Sequence, residues 1–587
     1  MTIFDVQRWQ FASRLLPYLR QHRKRMALGF ACVALANAFL LAAPWVIGDA
    51  VDSLTESVTR GRLAYYAGLI VGLTILQGIF RFTMRWLLIG VSRDVEYSLR
   101  NDVFARLQLL PVSFYHRNKT GDLLSRATND LSNVRMLLGP GIMYSAGTLA
   151  VTAMTIPIML SISWTLTLFA FMPLPIVSLA VRSFGRKIHA LTEESQARLA
   201  DVSARVQESM AGMRVVKAFV QEPHEIRDFR RLNESLMEKN FELIRITSVF
   251  YPTMELVIGL SIVIVLWLGG RQVVQGVISL GDFVRFLVYL GSLMWPMIAL
   301  GWVVNLLERG RASMERLNYI LDAEPAVRDA PGVHRDFEIE GEIEFKNLNF
   351  SYNGAPVLRN ISLKIPKGAT IAIVGATGSG KSSLAHLIPR LYDAPPNTVF
   401  IDGTPIERIP LESLRRSIGF IPQDTFLFSE TLEENIAFGV DAASMEEIER
   451  AAQISSIYDD VQWFPAGFRT MVGERGITLS GGQKQRTAIS RAVIRDPKIL
   501  VLDDALSSVD TYTEERILHE LKEVMRGRTS ILISHRVSTV KEADEIIVLD
   551  KGSIVERGTH DALLRQDGYY AELHRRQLLE EELEVSE

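Results

Sequence analysis

The chain has 587 residues, 48% hydrophobic and 22% charged, with a formal net charge of −3. This length is too great for one ordinary domain, and the near-neutral charge, without a basic stripe, argues against a nucleic-acid-binding protein. The single cysteine, Cys32, excludes a disulfide framework or a thiolate metal site within one chain. Because the first half is apolar and the second reads like a soluble enzyme, we predict a membrane domain followed by a water-soluble one.

The N-terminal segment 1–25 is basic, and a long apolar stretch follows it. That stretch is longer than the core of a cleaved signal peptide and lacks a small-residue cleavage site, so it predicts a first membrane span. The loops expected on the other side of the bilayer carry few cations, chiefly Arg60, Arg62 and Arg271. Lys and Arg concentrate in cytoplasmic segments, which places the N-terminus inside.

Six stretches are long enough to cross ~30 Å of hydrocarbon as helices of ~20 residues. They run approximately over residues 26–47, 65–91, 138–162, 164–181, 249–268 and 283–306. The connections 92–137 and 182–248 are polar but keep helical spacing, so we expect long helices that extend below the membrane. Prolines predict short turns within both connections, at Leu110–Phe114 (Pro111) and at Val220–His224 (Pro223).

Charged residues inside predicted spans point to function or to pairing between helices. Glu255 lies in the fifth span, and Arg81 and Arg85 lie in the second. The arginines are explained equally well by ion pairs or by contact with lipid headgroups. Whether any of the three lines a transport cavity stays open.

The second half changes character from about Ile339. Alternating or apolar runs at Ile343–Phe350, Thr370–Val374, Ile499–Leu502 and Ser530–Ile533 predict strands between helical stretches. The predicted fold is multi-domain: an all-α six-helix transmembrane domain followed by an α/β nucleotide-binding domain. Its parts are a cytoplasmic segment (1–25), the transmembrane domain (26–310), a linker (311–338), the nucleotide-binding domain (339–580) and an acidic tail (581–587).

A phosphate-binding loop follows the predicted strand Thr370–Val374 and opens a helix near Ser382. Its glycines let backbone N–H groups converge on phosphate oxygens at a helix N-terminus, Lys381 reaches the β- and γ-phosphates, and Ser382 ligates Mg²⁺. The candidate ATP contacts of this loop are Gly375, Thr377, Gly378, Ser379, Gly380, Lys381, Ser382 and Ser383.

Two further motifs complete the nucleotide machinery. Asp503 ends a buried strand and is placed to hold Mg²⁺ opposite the loop. The segment Leu479-Ser480-Gly481-Gly482-Gln483 precedes the helical stretch Lys484–Arg495 and forms a second candidate anion site at a helix start. A single bound nucleotide needs only one phosphate-binding loop and one segment of this second kind.

Together these motifs resemble the ATP-binding-cassette (ABC) family, and six spans followed by a cassette resemble its type IV exporters, bacterial multidrug and lipid half-transporters among them. The resemblance implies two ATP molecules, with Mg²⁺, sandwiched between two chains, so that Ser480, Gly481, Gly482 and Gln483 complete the partner's site. It also implies roles for five further segments. These are Tyr352 (stacking on adenine), Gln423 (Mg²⁺ and the attacking water), Gly473–Gly476 with Glu474 and Arg475 (coupling turns), Ser507–Asp510 (dimer interface) and His535 (γ-phosphate switch).

The chain departs from the family after Asp503, where Asp504 stands in place of the usual glutamate. Aspartate is one methylene shorter, and a misplacement of ~1 Å at a catalytic group can slow a reaction on the order of 10²-fold. The chain's own site is therefore expected to bind ATP but to hydrolyse it poorly. The segment Leu479–Gln483, the signature segment of the family, is intact. A weak base with an intact signature segment resembles the degenerate-site subunit of heterodimeric exporters; a homodimer in which Asp504, His535 and Gln423 suffice stays open.

The expected function is ATP-driven export, or leaflet translocation, of amphipathic compounds or lipids by alternating access. The predicted location is the bacterial inner membrane, with the nucleotide-binding domain cytoplasmic, and the predicted partners are a second half-transporter and the bilayer. Uptake by an exporter-like fold and an ATP-gated channel are less favoured alternatives. A soluble cassette acting on nucleic acid is nearly excluded by the six spans. Fold-level resemblance does not identify the substrate.

Overall fold

A computed structural model describes residues 13–56, 59–330, 333, 337–473, 476 and 478–586. The chain divides into two compact units. One comprises Met1–Arg106 and Gly121–Asp322, and the other comprises Leu107–Thr120 and Ala323–Glu587. A short stretch from the first predicted cytoplasmic connection, Leu107–Thr120, therefore belongs with the C-terminal unit.

The N-terminal part of the chain is helical. Its helices are Arg23–Glu56, Arg60–Leu109, Val112–Arg117, Thr120–Ile162, Trp164–Phe171, Leu174–Ala211, Met213–Ala218, Glu222–Val274, Leu280–Ser292 and Met294–Leu321. Within the described residues, five helical segments are long and apolar enough to cross a membrane: Arg23–Thr55, Arg60–Leu109, Thr120–Ile162, Glu222–Val274 and Leu280–Leu321. Five of the six predicted spans lie within these segments.

The fourth predicted span, 164–181, is not one continuous helix. It is divided at Met172 and Pro173 into Trp164–Phe171 and the start of Leu174–Ala211. Proline has no backbone N–H to donate and its ring obstructs the preceding turn, so the helix restarts after it. Counting apolar residues alone concealed this break.

The helices predicted to extend beyond the membrane spans are long. Arg60–Leu109 has 50 residues and Glu222–Val274 has 53, and at about 1.5 Å per residue each is far longer than a bilayer's hydrocarbon core. The chain breaks at both predicted turns. Pro111 precedes the short helix Val112–Arg117, and Val220 takes a positive φ of 53° before the helix that begins at Glu222.

Helix Thr120–Ile162 contains two wide, π-helical turns, Arg126–Asp130 and Leu137–Gly141. The first ends at Asp130, whose buried carboxylate accepts two hydrogen bonds from the Arg316 guanidinium, at 2.8 and 2.5 Å. Such wide turns are rare and are found chiefly where a helix must redirect a side chain. Here the bidentate pair ties this helix to the C-terminal end of Met294–Leu321.

We expect Arg316→Ala to lower the thermal stability of the membrane unit, because Asp130 would keep a buried charge without its cation. Removing one partner of a fully buried pair costs about 3–5 kcal/mol, and half-exposure of Arg316 reduces this to about 2 kcal/mol. Thermal unfolding of the purified protein in lipid nanodiscs measures the loss. Arg309→Ala, at an exposed arginine of the same helix, is the control, and equal melting temperatures for both variants would contradict this role.

The C-terminal unit contains two sheets. Its strands are β1 (Ile343–Tyr352), β2 (Ala355–Ile365), β3 (Thr370–Val374), β4 (Val399–Ile401), β5 (Thr404–Pro405), β6 (Ile418–Ile421), β7 (Ile499–Asp503), β8 (Thr529–Ile533), β9 (Glu545–Asp550) and β10 (Ser553–Gly558). One sheet has the order β2-β1-β4-β5 and is antiparallel; the other has the order β10-β9-β3-β8-β7-β6. The predicted strand Thr370–Val374 matches β3 at both ends.

The helices of this unit lie between and after its strands in the sequence. They are Lys381–Leu387, Leu411–Arg416, Leu432–Ala437, Met445–Ile454, Tyr458–Gln462, Gly481–Val493, Thr511–Met525, Val537–Val540, His560–Gln566 and Tyr569–Ser586. Strands β9, β3, β8, β7 and β6 are parallel neighbours. Their buried faces are rich in Ile, Val and Leu, which is typical of a parallel sheet covered on both faces.

The register of the parallel strands aligns their carboxyl ends. Ile373 lies opposite Ile533, Asp503 lies opposite Ile533, and Ile421 lies opposite Leu502. The segments that follow β3, β6, β7 and β8 therefore leave the sheet at the same edge. In open α/β sheets this edge is where ligands bind.

Candidate ATP-binding site

The phosphate-binding loop leaves β3 at this edge and opens the helix Lys381–Leu387. Gly378 and Gly380 have φ values of +79° and +104°, a region that side chains with a Cβ rarely adopt. A Cβ on Gly380 would also lie 2.8 Å from the Leu358 side chain. The glycines are therefore required for the loop to close around a cradle of backbone N–H groups.

Two polar groups of the loop indicate what this cradle accommodates. The Lys381 ammonium is buried and donates to the carbonyls of Gly375 and Ala376, at 2.9 and 3.0 Å. The Ser379 hydroxyl is also buried and has no hydrogen-bond partner among the described residues. A buried hydroxyl without a partner is costly, and a phosphate oxygen in the loop would satisfy it. These residues fit a nucleoside triphosphate.

Asp503 and Ser382 form the second part of the site. The Ser382 hydroxyl donates to the Asp503 carboxylate at 3.0 Å, which joins the phosphate loop to the end of β7. Burial raises the pKa of Asp503 above its ordinary value, and burial likewise lowers the pKa of Lys381. A carboxylate and a hydroxyl are oxygen ligands that suit Mg²⁺, so this pair fits the metal expected from the sequence.

Asp504 and His535 face the same site. Asp504 adopts a left-handed conformation with φ of 50°, and its N–H donates to the Ile533 carbonyl at 2.8 Å. Burial, followed by the nearby Lys381 charge, lowers the pKa of His535, while Asp504 and Asp503 oppose that shift. This shift favours the neutral His535 imidazole, in which one ring nitrogen donates a hydrogen bond and the other accepts one.

Tyr352 lies in an aromatic cluster that includes a residue not identified from sequence. Its ring makes edge contacts with Phe350 and Tyr392, at centroid distances of 4.9 and 5.0 Å. The Tyr392 hydroxyl lies 3.2 Å from Nδ1 of His116, on the short helix Val112–Arg117. The predicted adenine-stacking residue is thus joined through one tyrosine to the first cytoplasmic connection.

The signature segment does not precede its helix as predicted; it begins it. The helix runs Gly481–Val493 rather than from Lys484, because Ser480 and Gln483 form a reciprocal capping box that outweighs the low helix propensity of the two glycines. Ser480 and Gly481 are exposed. The start of this helix is therefore open to a ligand.

The signature helix is joined to the loop Ser507–Asp510. A Cβ on Gly482 would lie 3.0 Å from the Ser508 carbonyl, so glycine permits the close approach. Gln485 donates to the Ser507 hydroxyl at 3.0 Å and accepts from the Ser508 N–H at 2.9 Å. These contacts hold the start of the signature helix and the loop Ser507–Asp510 together, so that both belong to one surface.

The remaining predicted residues lie at separate points of this unit. Gln423 is exposed, two residues beyond β6 at the carboxyl edge. The Asp510 carboxylate caps helix Thr511–Met525 by accepting the Thr513 N–H at 2.9 Å. Glu474 and Arg475 lie outside the described residues. In the membrane unit, Glu255, Arg81 and Arg85 are exposed on the single chain.

Comparison with known proteins agrees with this geometry. The family described as ABC transporter transmembrane region matches residues 26–297, and the family described as ABC transporter matches residues 358–507. The multidrug resistance-like ATP-binding protein MdlA of Escherichia coli is 37% identical over 97% of each chain. The chain is an ABC exporter half-transporter.

Two further relatives support this membership. The ATP-dependent lipid A-core flippase of Syntrophus aciditrophicus is 34% identical, over 98% of this chain and 96% of the flippase. A solved structure of a bacterial Atm1-family ABC exporter with ATP bound is 30% identical, with a TM-score of 0.78 and coverage of 94% of this chain and 98% of that one. The half-transporter is thus an integral membrane protein whose cassette binds ATP and couples its hydrolysis to transport.

Proposed function

We propose that the half-transporter is one subunit of a heterodimer that exports amphipathic compounds or lipids, and that its own ATP site hydrolyses slowly. The observation that carries this proposal is Asp504, which follows Asp503 at the end of β7 where the family usually has glutamate. The signature helix, in contrast, retains its cap at Ser480. A weak catalytic base at Asp504, together with an intact signature segment, is the combination expected of a dimer whose two ATP sites differ.

The proposed roles at this chain's own site combine the family resemblance with the contacts described above. The phosphate loop and Lys381 bind the triphosphate, and Tyr352 stacks on adenine. Ser382 and Asp503, which already lie within hydrogen-bond distance, hold Mg²⁺ together with Gln423. The metal, when bound, neutralises phosphate charge. Asp504 and His535 orient the attacking water and the γ-phosphate.

The signature segment Ser480–Gln483 completes the partner's site. The Ser480 oxygen accepts the Gln483 N–H, so its O–H remains able to donate to a phosphate. Because Gln485 binds the loop Ser507–Asp510, the signature and that loop would reach the partner's nucleotide together. The partner would carry the catalytic glutamate and, in return, an imperfect signature.

Export of amphipathic substrates is supported by two observations. The relatives are named for multidrug resistance and for lipid A-core flipping. Large apolar side chains of the spans, including Trp86, Leu149 and Trp267, are about 70% exposed on the chain, as is expected of a lipid-facing surface. The excess of Lys and Arg in segment 1–25 supports a cytoplasmic location of the N-terminus and the cassette in a bacterial inner membrane.

The coupling of ATP to transport would pass through the short helix Val112–Arg117. Tyr392 contacts both Tyr352 and His116, so adenine bound on Tyr352 would stabilise the same cluster that holds this helix. ATP shifts the transport cycle only by its preference for one state of the dimer. The turn around Pro223 is the second proposed coupling element of the membrane domain.

A homodimer is the second candidate, and the His535 environment favours it. His535 lies within the electrostatic range of Asp503, Asp504 and Lys381, as a working hydrolytic site requires. In this case each chain would use Asp504 as a slower orienting group. The lipid A-core flippase relative is compatible with either assembly.

Co-expression with a second half-transporter that carries glutamate at the Asp504 position tests the proposal. We expect a 1:1 complex whose ATPase rate exceeds that of this chain alone by on the order of 10²-fold, because only the partner's site has a full-length base. The control is the same complex with the partner's glutamate replaced by glutamine. A fully active, substrate-stimulated ATPase from this chain alone would refute the heterodimer and support the homodimer.

A further inference from the structure

The C-terminal helix Tyr569–Ser586 contacts the backbone of the His535 segment through the side chain of Gln577. The Gln577 amide donates to the His535 carbonyl at 2.5 Å, and its side-chain oxygen accepts from the Val537 N–H at 2.8 Å. Both hydrogen-bonding groups of the side chain are therefore used on the two peptides that flank Arg536. The Gln577 amide group thus binds the backbone as a peptide group of a neighbouring β-strand would, with one donated and one accepted hydrogen bond.

The helix that carries Gln577 is fixed at its start. The Glu556 carboxylate accepts from the N–H groups of Tyr569 and Tyr570, at 2.5 and 3.1 Å. The Tyr570 ring is fully buried, and its hydroxyl binds His560 at 2.8 Å. Tyr570 and Gln577 are seven residues apart, so they lie on the same helix face. Anchoring of the first turn thus sets the position of Gln577.

A second set of contacts holds the same segment through the side chain of Arg536. The Arg536 guanidinium pairs with the buried Glu514 carboxylate and donates to the Val509 carbonyl at 3.3 Å. Glu514 also accepts from the Thr539 hydroxyl at 2.5 Å. The side chain of Arg536 is therefore fixed to helix Thr511–Met525, while the flanking backbone is fixed by Gln577.

We infer that Gln577 is a positioning residue for ATP hydrolysis: it sets the orientation of the His535 peptide, and through it the imidazole that faces Lys381, Asp503 and Asp504. The role is one of positioning because the Gln577 side chain binds the backbone of the His535 segment. The role requires only that ATP binds this chain's phosphate loop, and it holds for a heterodimer or a homodimer. It makes the C-terminal helix part of the catalytic cycle rather than a passive cover of the sheet.

The test is single-turnover ATP hydrolysis by the complete dimer in lipid nanodiscs. The kinetic phase that Lys381→Ala removes is assigned to this chain's own site. Gln577→Met keeps the length of the side chain but removes both hydrogen bonds, and it is expected to slow that phase about tenfold while the ATP affinity changes less than about twofold. Arg576→Ala, at an exposed residue of the same helix, should leave rate and affinity unchanged.

A double-mutant cycle separates positioning from a general structural effect. In a His535→Ala background, Gln577→Met should slow the assigned phase no further, because the residue acts through His535. Equal slowing in both backgrounds, or an unchanged rate in the native background, would overturn the inference. If Gln577→Met does not fold, Gln577→Asn, which keeps the amide but cannot reach both peptides, replaces it. Failure of Lys381→Ala to remove any phase would instead overturn the site assignment itself.

Discussion

Lys381→Ala is expected to weaken ATP binding at this chain's own phosphate loop on the order of 10²-fold, equivalent to about 3 kcal/mol. The ammonium is the only cation among the loop residues, and it is buried beside the cradle. Its loss also frees the carbonyls of Gly375 and Ala376, which it holds at 2.9 and 3.0 Å. The lost positive charge and the freed carbonyls are both expected to weaken binding of the triphosphate.

Photoaffinity labelling of the dimer with an azido-ATP, followed by peptide mapping, reports binding at each phosphate loop separately. Lys364→Ala removes an exposed lysine of β2 that pairs with Glu342 at 3.2 Å, and it is the matched control. Native-like thermal unfolding must accompany the measurement, because Lys381 is buried. Unchanged affinity of this loop in folded Lys381→Ala protein would contradict the assigned nucleotide site.

The second large effect expected is a gain of activity. Asp504→Glu should raise the hydrolysis rate at this chain's own site by up to about 10²-fold, because the longer side chain restores about 1 Å of reach toward the attacking water. Asp504→Ala, in contrast, should lower the total ATPase only slightly. Steady-state ATPase of the complex, with the partner's glutamate replaced by glutamine, isolates this chain's contribution.

The backbone at Asp504 provides a matched control. Its left-handed conformation, with φ of 50°, is tolerated better by aspartate than by glutamate, so the substitution should cost up to about 1 kcal/mol of stability. Asp496 has the same φ but lies in an exposed pair with Arg528. Asp496→Glu should therefore share the stability cost without the gain in rate. If Asp504→Glu leaves hydrolysis unchanged, the distance argument fails.

Local patterns predicted the elements that carry the nucleotide site. The apolar run Thr370–Val374 and the glycines after it specify β3 and the loop within a few residues, and β7 ends at Asp503, the carboxylate singled out from sequence. Two boundaries were wrong for local reasons. Pro173 interrupts the fourth predicted span. The capping box at Ser480 starts the signature helix at Gly481, three residues before the predicted start at Lys484.

The long-range contacts of the site could not be predicted in this way. Tyr392 and His116 are 276 residues apart in sequence, and Gln577 is 42 residues from His535. No spacing rule links such residues, because tertiary packing alone brings them together. An isolated tyrosine or glutamine in the sequence carries no signal for a partner at this distance. The roles of the site residues beyond their placement stay predictions.

The two wide turns of helix Thr120–Ile162 each hold one residue more than an ordinary helical turn. One residue corresponds to about 100° of winding around a helix axis. Because a wide turn completes one full turn with its extra residue included, deleting one residue within Arg126–Asp130 would leave an ordinary turn and keep both flanking segments near their present orientation, whereas a deletion in a regular turn would rotate one flank by that angle. A single-residue deletion should therefore be tolerated better inside this wide turn than in the regular turns on either side of it.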